Sequence, residues 1–128
     1  MISLKQQTES YELDLPYGVT VTVTPLTTAA MAAAQAAARK RLEGLEAQVK
    51  ERKEAGLALD GLPDLADEGA REGQYQALLI HCLAARHITA WTGIEDDPSV
   101  TRENVAALMD LYPVGEHFFR SSPCVRCC

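Results

Sequence analysis

The chain has 128 residues, a length that suits one domain with a real core and leaves little room for a second. A formal net charge of −6 sets it against phosphate backbones and disfavours general nucleic-acid binding. Hydrophobic residues make up 47% of the chain but aromatics only 5%, so alanine supplies much of the apolar fraction. Alanine favours helix yet contributes little buried area, which predicts a thin core whose stability rises on contact with a partner. The opening Met1 to Gln7 lacks the apolar run of a signal peptide. No stretch approaches the roughly 18 to 20 apolar residues of a membrane span, so a cytoplasmic location is expected.

Residues 11–24 read as a β-hairpin. Tyr11, Leu13 and Leu15 alternate with Glu12 and Asp14, and Val19, Val21 and Val23 alternate with Thr20, Thr22 and Thr24. Pro16-Tyr17-Gly18 supplies the turn, with Gly18 free to take a positive φ. A lone hairpin is marginal in water, so its apolar face must pack on a helix of the same chain or add to another sheet. Thr27 or Thr28 caps a long helix that runs without proline to about Ala55. Met31, Ala34, Ala38, Leu42, Leu45 and Val49 draw its apolar stripe. The small residues from Ala30 to Ala38 admit a close neighbour, either a helix of this chain or a sibling subunit in a homo-oligomer.

Residues 56–69 form a reversal loop rich in glycine and leucine, and a second, antiparallel helix is expected from about Ala70 to Trp91. Leu78, Leu79, Cys82, Leu83, Ala85, Ile88 and Trp91 make its apolar face. His81 and His87 lie six residues apart, on different sides of that helix, and are expected at the surface or its boundary. Residues 92–98 are a loop in which Gly93 caps the preceding helix. Thr101 caps a third helix from Arg102 to about Leu111, and Pro113 opens a short fourth helix through Phe119. Residues 121–128 lack periodicity and read as a disordered, Cys-rich tail outside a domain spanning 1–120. The fold class implied is α+β, mainly α.

The sequence contains no Gly-rich phosphate loop, HExxH or GxSxG. Cys124 and Cys127 have the spacing of half a zinc knuckle, without the second pair that structural zinc needs. Glu95-Asp96-Asp97 offers clustered oxygens to a hard cation but not the pattern of a calcium loop, and reads as solvated. Neither histidine has an evident nucleophile. The expectation is a protein with no catalytic residues, metal or cofactor, acting by binding other proteins.

The second half carries a resemblance. Ile88-Thr89-Ala90-Trp91-Thr92-Gly93-Ile94-Glu95-Asp96, then Val100 to Val105, then Leu108-Met109-Asp110-Leu111-Tyr112-Pro113 resemble the corresponding stretches of phage tail assembly chaperones. In that family a helix ends at a tryptophan–x–glycine–aliphatic–acidic turn, and a threonine-capped short helix and an aromatic-rich terminal helix follow. The resemblance implies a non-catalytic viral protein of the host cytoplasm. Such a protein binds the tape-measure protein, keeps its apolar helices from aggregating, and assists tail-tube protein assembly. After Phe119 the chain departs from the family, whose helix continues there, and the Cys-rich tail fits a native, a truncated or an alternative-frame ending. The partner-binding candidates are Trp91, Ile94, Tyr112, Phe118 and Phe119, each of which could instead pack the core. Trp91 could equally be the keystone holding the third helix on the second. Two other functions fit the sequence: a head–tail or tail component retained in the particle, and a small regulator using Arg39 to Lys53 on nucleic acid.

Overall fold

The alternation of valine and threonine before Pro25 becomes a strand because β-branched side chains pack well on a pleated surface. In the computed structural model, which describes residues 10–59, 61–63 and 65–121, Tyr11–Asp14 (β1) and Thr20–Val23 (β2) pair antiparallel, with Leu13 opposite Val21. Leu13, Leu15, Val19, Val21 and Val23 are buried, so the period of two read from the sequence sets the inward face. A short 3-10 turn over Pro16–Gly18 joins the strands, and both Tyr17 and Gly18 take positive φ.

Thr27 caps the helix Thr28–Glu54 (α1), its hydroxyl accepting from the N–H of Ala30 at 3.0 Å. The helix stops at Gly56, where the N–H groups of Gly56 and Leu57 return to the carbonyls of Lys53 and Arg52. Ala34 and Ala38 are fully buried, and Met31, Leu42 and Leu45 pack partly on the core. Asp67 caps the helix Glu68–His87 (α2), which starts two residues before the sequence suggested. It runs back along α1: Arg71 lies 3.9 Å from Glu46, and Tyr75 shares a groove with Leu42 and Arg39.

The sequence reading fails at the end of α2. It carries the helix to Trp91, whereas the helix ends at His87 and Ile88–Thr92 is a third strand (β3). β3 pairs antiparallel with β2, giving the order β1-β2-β3, with Thr20 opposite Thr92 and Val23 opposite Ile88. The register shifts between Thr22 and Val23, leaving Thr89 as the extra residue on β3, its hydroxyl donating to the Thr22 carbonyl at 3.3 Å. Gly93 does take a positive φ, but it follows a strand and caps no helix.

Thr101 caps Arg102–Met109 (α3), and Val114–Ser121 (α4) follows after a cis Tyr112–Pro113 bond. Leu83 and His87 of α2 and Phe118 of α4 meet Leu13 and Val23 under the sheet. Helices thus cover one face of a three-stranded sheet. The architecture is α+β and mainly α. Among the described residues no helix is long and apolar enough to cross a membrane. Cys124, Cys127 and Cys128, on which the expected tail and the half zinc knuckle rest, lie outside the described residues.

Candidate functional site

The five aromatic and aliphatic side chains singled out in the sequence do not form one surface. Trp91 (6% exposed) and Phe118 are core residues, and Ile94 and Phe119 pack partly against that core. As direct partner contacts Trp91 and Phe118 are therefore withdrawn: a side chain already enclosed offers no area to a second protein. The indole of Trp91 donates to the Pro98 carbonyl at 2.8 Å, which pins the loop after β3. Tyr112 is the exception, at 76% exposed.

Two residues that the sequence reading passed over join it. Leu111 is 54% exposed, and Tyr17 is 71% exposed. The Tyr17 hydroxyl donates to the Tyr112 carbonyl at 3.0 Å, bridging the β1–β2 turn and the α3–α4 turn. Tyr17 holds φ at +68°, a region that costs a bulky residue about 1 kcal/mol or more. Backbone bonds at Leu111 tie the second turn together. The Leu111 N–H bonds the Leu108 carbonyl, and the Leu111 carbonyl accepts from Val114 at 2.7 Å. The Leu111 and Tyr112 side chains stay outside.

Beside them runs an open groove of about 280 Å³. Gly73, Gln76, Ala77 and Ile80 of α2 form one wall; Met109, Asp110, Leu111 and Tyr112 form the other, with Gly115 and Glu116 closing one end. Ile80 and Met109 are buried, which makes the floor apolar. His81 donates from Nε2 to Asp110 Oδ1 at 2.6 Å and so locks α2 to the end of α3. Two further grooves flank α1 and the start of α2, but charged side chains of both signs dominate their walls. The groove with the Leu111–Tyr112 rim is the better binding surface, because exposed apolar area beside a shaped recess is what association can bury.

His87, expected near the surface, is buried. Its Nδ1 shares a hydrogen bond with the Thr24 hydroxyl at 2.9 Å, and its Nε2 has no partner among the described residues. Burial lowers its pKa from the ordinary 6.5; the contact with Thr24 works the other way, and the charge of Arg86 adds to the lowering. Below 6.5 the unfolded chain takes up a proton that the folded chain refuses, so stability is complete above that value and is lost as pH falls through the folded pKa. A urea midpoint that drops between about pH 7 and pH 5 is expected, with a shallower drop in His87→Asn. Equal pH slopes in the two proteins would contradict this assignment.

Among the described residues no group of three or more His, Cys, Asp or Glu side chains is placed to hold a metal ion. In Glu95-Asp96-Asp97 the two aspartates take positive φ within a tight turn. Compared with family models, with curated proteins and with solved structures, the chain matches none.

Proposed function

We propose that this chain is a polypeptide-binding protein of the tail assembly chaperone kind. It holds apolar helical segments of a tape-measure protein and assists assembly of tail-tube protein around it, without catalysis. The observation that carries the reading is the exposed pair Leu111 and Tyr112 rimming an open apolar-floored groove, with the exposed Tyr17 hydrogen-bonded to the Tyr112 carbonyl beside it. Aromatic side chains at the edge of a recess concentrate binding energy, and none of the described residues covers them. The strained φ of Tyr17 adds support, since a stability cost at an exposed aromatic is retained more readily where the side chain is used.

The test is co-expression with a long helical tape-measure protein, followed by affinity capture. Tyr112→Ala should keep the wild-type unfolding midpoint within about 0.5 kcal/mol and weaken capture about tenfold or more. Tyr17→Gly relieves the backbone, so its stability should hold or rise by up to about 1 kcal/mol while capture falls. Capture unaffected by either substitution would remove this surface from the interface and the proposal with it.

A further inference from the structure

We propose that the groove between α2 and the α3–α4 corner takes a basic, amphipathic helix, about two turns of it, from the partner. This rests on the polypeptide-binding reading above and adds the chemistry of the bound segment. Gly73, Gln76, Ala77 and Ile80 stand at i, i+3, i+4 and i+7 of α2, one stripe about 10 Å long. Among the described residues nothing lies within 4 Å of where a Cβ on Gly73 would stand, so the stripe has open space above its first turn. Ala77 keeps the middle of that wall low, Ile80 and Met109 close the floor beneath it, and the exposed Leu111 and Tyr112 side chains supply apolar contact along the opposite rim. A helix packed there finds room for its backbone beside α2 and an apolar floor for one or two side chains.

The charge around this floor is one-sided. Asp110 and Glu116 line the groove, and among the described residues no lysine or arginine does. The imidazole of His81 meets one carboxylate oxygen of Asp110, and the Asp110 side chain stays well exposed all the same. Arg120 reaches Glu116 at 3.7 Å from one turn on, but both side chains are at least half exposed, and such a pair is weak enough to be exchanged. A segment with lysine or arginine flanking its apolar residues satisfies both carboxylates and the floor together. An acidic segment meets repulsion at the rim.

The experiment measures anisotropy of labelled helical peptides titrated with the full chain. One peptide is built of leucine, alanine and lysine; a second has glutamate for lysine; a third has serine for leucine. The lysine peptide should bind, and Asp110→Asn combined with Glu116→Gln should weaken it about fivefold. Removing two charges elsewhere, by Glu12→Gln with Glu95→Gln, should leave it unchanged. Filling the groove by Gly73→Leu should weaken it while circular dichroism stays native. Failure of the lysine peptide to bind, equal binding of the glutamate peptide, equal loss in the two neutralised proteins, or full binding of the serine peptide each overturns the proposal. If the glutamate peptide binds and Tyr112→Ala abolishes that binding, only the charge inference falls. If Tyr112→Ala binds every peptide as the wild type does, docking at this surface falls as well.

Discussion

Trp91→Ala should cost about 3 to 5 kcal/mol of stability, the range for deleting a large buried aromatic. Domains of ordinary stability have only about 5 to 15 kcal/mol in total, so this variant is expected partly unfolded near room temperature. Two separate losses add. The indole leaves a cavity on the inner face of β3, opposite Val21, which is itself fully enclosed. The Pro98 carbonyl loses its donor, and with it the loop from Gly93 to Val100 loses its tie to the strand. Trp91→Phe separates the terms, because it keeps most of the apolar area and removes only the hydrogen bond. It should cost about 1 to 2 kcal/mol. Urea unfolding followed by far-ultraviolet circular dichroism measures both, since the chain has a single tryptophan and the variants lose its fluorescence. A wild-type midpoint for Trp91→Ala would show the indole to be dispensable for folding and return it to the list of partner contacts. The expected loss also means that failure of Trp91→Ala to capture a partner says nothing about an interface. Tyr112 is the residue that can answer that question.

The error over β3 has a definite physical origin. Ile88 and Trp91 are three apart, the spacing of neighbours on a helix face, and they follow directly on the true helical stripe of Leu79, Cys82 and Leu83. Both are buried in the strand because Thr89 bulges out of register, which turns a period of two into a step of three. The β-branched run Ile88, Thr89 and Thr92 carried a contrary signal that the apparent periodicity outweighed. His87 was misplaced for a related reason. It stands at the last turn of α2, where the chain enters the sheet, and the Thr24 N–H bonds its carbonyl at 2.9 Å. Where local pattern and tertiary contact agreed, the sequence was enough: Thr27 and Thr101 cap as their positions suggest, and Gly56 ends α1.

The candidate surface was half legible. Tyr112 could be found because an aromatic just before a proline, past the end of a helix, has little core to enter. Tyr17 had a comparable signal, sitting between Pro16 and Gly18 at a hairpin tip, yet it served only as part of a turn. What no single-chain pattern contains is that these two turns, ninety-five positions apart, meet through one hydrogen bond. Nor does it show that α2 presents Gly73 and Ala77 to the same recess. Those adjacencies come from the sheet and the α3–α4 corner closing over α2.

Gly93→Ala tests how tightly the core governs that surface. Gly93 has φ at +85°, a conformation that strains any residue with a Cβ. A Cβ built there overlaps the carbonyl of Gly18, which is backbone and cannot swing aside. The variant must either unpair the end of β3 from the Thr20 end of β2 or push away the Pro16–Gly18 turn. A loss of at least about 2 kcal/mol is expected, from the φ strain and the overlap together. Gly44→Ala, in open space on α1, is the matched substitution that should instead stabilise by about 0.5 to 1 kcal/mol. If the displaced turn absorbs the overlap, Tyr17 moves with it and its bond to the Tyr112 carbonyl breaks. Capture of the partner should then fall more steeply than the population of folded protein does. Equal midpoints for Gly93→Ala and the wild type would mean that the turn is free to slide, and that the position of Tyr17 is not set by the sheet beneath it.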